Sequence, residues 1–368
     1  RITWAIGALV IWLTFAIALG PQPGLQHWWT MVAISGLLAL PLGWWFARLG
    51  FFAAPLFSVL LVGTLLALSG SVQWPMLEAG FLRVSDYWGR PTADGLLLAL
   101  VLMPLLVSTA VGVSLFRQRW RARAFFGVSL SLIIVALLLL LGTESRSALM
   151  AALLGLVVIV VAAAAHGVGN RLWTAIAAGA LTVIFSTSLL ANLFAPAGVS
   201  LNESYLEPVR SAVLYAAGEP ELARSSHPAV AERLDAWAAA WRLVGQRPLA
   251  GFGVVTPDAA AAVIGGDRVI DDPTVIDPAS SAYSMLGLAG GGVALLLFVA
   301  LLVGLIRALA RAGAKRYWPL RHAMAAYGAL GVLVAFLFVS PLVTTAVGVM
   351  LFNAVIAVGV AAAVANPT

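Results

Sequence analysis

The stretch "TESRSALMAALLGLVVIV", residues 143–160, puts one arginine, Arg146, at the head of an unbroken apolar run. A guanidinium stays protonated and presents a planar fork of donors that matches phosphate oxygens two at a time. At the first turn of a helix it adds to free N–H groups and a dipole that also favour an anion. The chemistry implied is binding of a lipid phosphate or pyrophosphate at the edge of a membrane span. The plainer reading of the same residue is an arginine contacting headgroups.

Other chemistries find less support. The four histidines, His27, His166, His227 and His322, are scattered without ligand spacing, and the chain has no cysteine. The close acids Asp267, Asp271, Asp272 and Asp277 read either as a solvated loop or as a divalent cation site. No metal or other cofactor is implied. Ionisable residues stop at the ends of the apolar runs, whereas an ion-coupled transporter places them at mid-span. The pattern points to chemistry at a membrane surface.

The elements that must position these groups are helices in lipid. Hydrophobic residues make up 62% of the 368 and charged ones 10%, a balance that excludes an ordinary soluble domain. Runs long enough to cross about 30 Å of hydrocarbon fall near 3–20, 28–46, 51–70, 93–116, 124–142, 147–166, 172–193, 283–306, 322–339 and 343–364. The expectation is an all-α polytopic membrane protein with ten spans. The first run reads as an anchor rather than a cleaved leader. The chain opens on Arg1 rather than methionine, and a further pair of spans upstream would make twelve.

Charge orients these spans. If they alternate, one side carries Arg1, Arg48, the "RQRWRAR" run at 117–123, Arg171, Arg307, Arg311, Lys315, Arg316 and Arg321, and no acid. All fifteen Asp and Glu residues lie on the other side with nine arginines. By the positive-inside rule the acid-free side is cytoplasmic, and the 117–123 run is a topology anchor near anionic headgroups. Arg146 then faces outward.

The external side is uneven. Residues 194–281 form an 88-residue connection holding eleven acids and six arginines, too long for a structureless loop. The expected organisation is spans over 1–193, a helical external subdomain over 194–281 and spans over 282–368. Within "SSHPAVAERLDAWAAAWRLVGQRP", Val230, Leu234, Trp237, Trp241 and Val244 recur at helical spacing. Ser225 or Ser226 can cap that helix, Pro228 suits its first turn, and it should stop before Pro248. A second external loop, 71–92, carries "FLRVSDYWGRPTADG" with Arg83, Arg90 and an interfacial Tyr87/Trp88 pair.

Three pieces in this order resemble the O-antigen ligase family, which shares its core with O-antigen polymerases and bacterial O-linked oligosaccharyltransferases. "SRSALMAALLGLVV" at 145–158 is similar to the family's arginine-led span. "RLDAWAAAWRLVGQRPLAGFG" at 233–253 is similar to its Arg-x-x-x-Trp helix and Pro-Leu-x-Gly-x-Gly turn. "SSAYSMLGLAGGGVALLLF" at 280–298 is similar to the segment that leads from a histidine and a tyrosine into a glycine-containing span. The likeness covers about residues 85 to 310. It implies transfer of a glycan from undecaprenyl pyrophosphate to a hydroxyl of the lipid A core, at the periplasmic face of a bacterial inner membrane. No metal is needed, because pyrophosphate is a good leaving group that fixed arginines can neutralise. By motif, Arg146 and Arg233 would bind the pyrophosphate. Arg90, in a "GRP" before the fourth span, and Arg210, in the long connection, are further candidates. On its own helix Arg233 could instead pair with Asp235 or Glu232.

One departure concerns catalysis. Where the family has a histidine, expected to take the acceptor hydroxyl proton, this chain reads "DPASSAYS". One register puts the missing residue at Ser280, the other at Ala279, and neither side chain is a base near neutral pH. Either the base comes from elsewhere, His227 being the only histidine in the long connection, or the chain is a substituted, impaired form with alanine introduced at 279. Polymerase, oligosaccharyltransferase and, in a different class, lipid or glycan transporter are the alternative readings.

Overall fold

A computed structural model describes residues 2–19, 35–49, 91–115, 120–143, 146–167, 207–253, 281–314, 320–339 and 346–364. Among these there are eleven helices and no strand: α1 (Ile2–Ala18), α2 (Ala39–Leu49), α3 (Pro91–Leu115), α4 (Trp120–Gly142), α5 (Arg146–Ala165), α6 (Glu207–Ala216), α7 (Pro220–Ser226), α8 (Pro228–Gln246), α9 (Ala282–Ala314), α10 (Leu320–Val339) and α11 (Ala346–Val364). Ser147–Ala165 and Ala282–Ala312 are long and apolar enough to cross a membrane, and five shorter apolar stretches accompany them. The runs expected at 51–70 and 172–193 lie outside the described residues, as do the loop 71–90 and the acids at 267–277.

The outer face of α1 is apolar. On α1, Ile2, Ile6, Leu9, Leu13 and Ile17 form a buried stripe at spacings of four and three, while Trp4, Ile11 and Phe15 on the outer face are exposed. A soluble helix would be polar there. Apolar residues all round leave packing shape, not polarity, to decide which face turns inward.

The chain divides into two compact units. One comprises 41–198, 305–336 and 354–368. In it α3 packs against α4 and α5, and α5 meets α10 at a crossing made by glycines. A Cβ on Gly155 would lie 2.5 Å from Val332 Cγ2 and 2.8 Å from the Gly328 carbonyl oxygen. A Cβ on Gly331 would lie 3.1 Å from Gly155 Cα. Small residues allow this approach, and in lipid such packing replaces the hydrophobic drive as the source of association.

The other unit comprises 1–40, 199–304 and 337–353, and holds α1, α6 to α8 and the first two-thirds of α9. The helix expected in "SSHPAVAERLDAWAAAWRLVGQRP" is α8, which ends at Gln246 before Pro248. The cap differs from expectation. His227 is the N-cap residue, with Pro228 following it in the first turn, and no side chain caps the helix. Ser225 and Ser226 instead end α7, where Ser225 donates to the Leu222 carbonyl and Ser226 donates to Glu207 Oε2 at 2.6 Å. Two proline-started helices share one joint residue, so the serines fall one element too early. Between α6 and α7, Gly218 at φ +88° closes a Schellman turn, with Glu219 N–H donating to the Leu214 carbonyl.

Because the Gly328 carbonyl and the Val332 and Met103 side chains bound the space at Gly155, a Gly155→Val variant should lose about 1–3 kcal/mol. Thermal unfolding of the detergent-solubilised chain checks this, and an unchanged midpoint would mean that the α5–α10 crossing is looser than these distances.

Candidate functional site

The site is built on a break in α9. Gly290 and Gly291 leave helical geometry, Gly291 adopting φ +64° and ψ −158°, and the helical hydrogen-bond ladder is interrupted. The turn at 248–253 takes over the released groups. Gly292 N–H donates to the Pro248 carbonyl at 2.6 Å, Phe252 N–H to the Leu288 carbonyl at 2.7 Å, and Gly253 N–H to the Ala289 carbonyl at 3.1 Å. The Gly290 carbonyl accepts from the Trp12 indole of α1 at 2.8 Å. Each partner is itself a piece of a motif or a span.

Glycine is required on both sides of this junction. Gly251, at φ +63°, would with a Cβ meet Gly291 N and the Leu288 oxygen at 2.7 Å. Gly291 would meet the Leu249 carbonyl carbon at 2.5 Å. Every obstructing atom is backbone, which cannot swing aside. Arg247, the C-cap residue of α8, lies over the Phe252 ring at 5.0 Å and covers the turn. Beside it a shallow pocket of about 310 Å³ opens between Ala16 and Leu19 of α1 and residues 247–252.

The junction sets the register of α8 on α9. Val244 Cγ2 and Trp241 Cζ3 lie 3.1 and 3.5 Å from the Cβ position of Gly287, and Pro248 bonds Gly292. Contacts therefore advance in the same sense along both helices. Ala240, Val244, Met285 and Leu288 form the buried cluster between them. At the start of α9, Ser281 donates to the Leu337 carbonyl at 3.3 Å, and the Tyr283 ring packs on Phe338 at 4.3 Å and Phe298 at 5.9 Å. These contacts fix the helix immediately after Ala279 and Ser280, which themselves lie outside the described residues.

Arg233 sits about three turns before Val244 on the same stripe of α8. Its Nε is buried and has no hydrogen-bond partner among the described residues, and burial lowers its pKa from the ordinary arginine value. It remains a cation at neutral pH. The local pairing open to it in the sequence does not form: Asp235 accepts from Tyr215 Oη at 2.6 Å and from Arg224 at 2.7 Å. Arg233 makes no ion pair among the described residues. Sequence reasoning did not single out Trp12, and it weighed Asp235 only as a partner for Arg233. A tryptophan inside an apolar run and an acid two residues from an arginine carry no signal until the tertiary partners are known.

The other candidates divide. Arg210 is on α6, its side chain 69% exposed, with a long 3.5 Å contact to Glu207. Arg146 opens α5 as expected, the backbone alone being described there. Arg90 lies outside the described residues, and so do the acids that raised the cation-site reading. His227 is the joint of α7 and α8, its carbonyl accepting from Val230 and Ala231 N–H.

Electrostatics tie α6, α7 and α8 together. Burial pushes the Asp235 carboxyl up, but the Tyr215 hydroxyl and the Arg224 guanidinium outweigh it and hold the group below its ordinary 3.8. The Ser226 hydroxyl, aided by Arg210, holds Glu207 below 4.5 against a smaller upward push from burial.

Two predictions follow from this geometry. Gly251→Ala and Gly291→Ala should each cost at least about 1–3 kcal/mol, since each adds a positive-φ penalty to a backbone clash; thermal unfolding reads the loss, and a midpoint like the parent's would remove the junction as a constraint. A depressed carboxyl contributes stability that is present above its unfolded pKa and lost as pH falls through its folded one. Proteolysis within 207–246 should thus be flat from about pH 7 to 5 and rise below about pH 4. A rise that begins near pH 6 would remove these carboxyls as its source.

Residues 131–299, from within α4 to within α9, match the family described as O-antigen ligase. No curated protein matches the chain. The matched segment contains α5, α8, the 248–253 turn and the break in α9, so the junction built by the glycines lies within the region the family defines. Through residues 131–299 the chain is similar to the O-antigen ligase family.

Proposed function

We propose that the chain is a metal-independent glycosyltransferase that moves O-antigen glycan from undecaprenyl pyrophosphate to the lipid A core. The observation that carries this reading is Arg233: a half-buried guanidinium with no counter-ion among the described residues, on a helix locked to α9. A cation held this way is short of solvation and favours an anionic ligand. A departing pyrophosphate gains negative charge, and a preorganised guanidinium stabilises that charge without further ordering.

The charge pattern supports ten spans, an inner-membrane location and a periplasmic site, with the helical connection 194–281 lying between spans over 1–193 and 282–368. Arg146 and Arg233 are assigned to the pyrophosphate by motif, Arg210 and Arg90 to supporting contacts. The base is assigned to the slot at Ala279 or Ser280, where this chain has no titratable group. Arg210, exposed and paired, has the weaker physical case of the two described on the long connection.

The test is ligation by the purified chain of undecaprenyl-pyrophosphate glycan to rough lipopolysaccharide, read as a larger lipopolysaccharide. Ala279→His or Ser280→His should raise the yield, and in the more active form Arg146→Ala and Arg233→Ala should each lower it on the order of a hundredfold or more. Growth of the lipid-linked glycan itself, without transfer to lipid A core, would favour the polymerase reading. Unchanged yield in both arginine variants would remove the site.

A further inference from the structure

On an α-helix, residues two apart point in nearly opposite directions, about 200° around the axis. Asp235 therefore faces away from Arg233, and the two faces of α8 have different neighbours. Arg233 shares its stripe with Trp237, Ala240 and Val244, and the last two are buried against Met285 and Leu288 of α9. Asp235 faces α6 and α7, where Tyr215 of one and Arg224 of the other each hold one carboxylate oxygen, at 2.6 and 2.7 Å.

This clamp is itself braced. The second arm of Arg224 donates to Glu221 at 2.6 Å. Ser211 of α6 donates to the Ala223 carbonyl of α7 at 2.9 Å, and Ser226 at the end of α7 returns a bond to Glu207 at the start of α6. Two helices that are fixed to each other thus grip α8 from the face opposite Arg233. The clamp also disposes of charge. Asp235, Glu221 and Glu207 all have partners in it, so none of them is available to neutralise Arg233.

We propose that Tyr215 and Arg224 are positioning residues for donor binding, which by holding the Asp235 carboxylate fix the rotation of α8 and with it the place of the Arg233 guanidinium. The role rests on the assignment of Arg233 to the pyrophosphate. Without Tyr215 or Arg224 the helix loses a fixed azimuth. Without Arg224 an unneutralised carboxylate also remains on the same helix and opposes an incoming diphosphate.

The experiment measures binding of undecaprenyl pyrophosphate to the full chain in detergent micelles, together with thermal unfolding. Tyr215→Phe should weaken binding about threefold and Arg224→Gln about tenfold, with cooperative unfolding retained. Arg224→Lys, which keeps the charge, should recover most of the second loss. Parental affinity in Tyr215→Phe and Arg224→Gln, or loss of affinity only together with loss of cooperative unfolding, overturns the positioning role. Arg233→Gln separates the two levels. If it loses binding while the clamp variants do not, the assignment of Arg233 stands and the clamp alone fails; if it binds like the parent, both fail.

Discussion

A polar backbone group in an apolar surrounding must be paired, and the break at Gly290–Gly291 releases several at once. The protein satisfies them with the 248–253 turn and the Trp12 indole, and that requirement organises the unit around it. A turn that must deliver N–H groups to Leu288 and Ala289 cannot drift along α9. The end of α8 is held in register by the same bonds. Glycine at 251 and 291 follows from the approach of two backbones, since a single Cβ on either side would occupy the place of a main-chain atom.

The rest of the candidate site inherits this register. With Val244 and Trp241 seated at Gly287, the stripe of α8 that includes Arg233 faces the same way as the seam with α9. The opposite face is taken by α6 and α7 through Asp235. Helix α8 is held from two sides by different physics: close packing and backbone hydrogen bonds on one, charge-assisted hydrogen bonds on the other. Exposed ion pairs contribute little when isolated. Here Arg224 joins two acids, and Tyr215 adds a half-buried bond to one of them, so the group acts as a network rather than as separate pairs.

How much of this was legible depends on where the information sits. Arg146 at the head of α5, the limits of α8 at Pro228 and Gln246, and the glycine-rich span were readable because periodicity and punctuation are local. The N-cap was misread. Ser225 and Ser226 have the right chemistry for a cap, yet α7 occupies them and Ser226 turns to Glu207, a partner nineteen positions away. The fate of Asp235 was equally hidden. Sequence alone weighed it as a partner for Arg233, and helical geometry could reject that pairing, but the choice of Tyr215 and Arg224 needed the packing of three helices. Trp12 carried no signal, for its indole matters only because α9 breaks beside it.

Among the arginines of the described long connection, only one is arranged as a receptor for an anion. Arg224 is committed to Glu221 and Asp235, and Arg210 leans on Glu207 with most of its surface in solvent. Arg242 is exposed and its Nε contacts the Ala238 carbonyl on its own helix, while Arg247 covers the Phe252 ring. Arg233 is half-buried, charged and without a partner among the described residues, its Nε fully covered, a state that is unfavourable when nothing answers the charge. A folded protein tolerates such a cost where a ligand offsets it. An exposed arginine must give up water to bind phosphate and gains little from the exchange. Arg233 has already lost much of its water on folding, so more of its interaction with a diphosphate would appear as affinity.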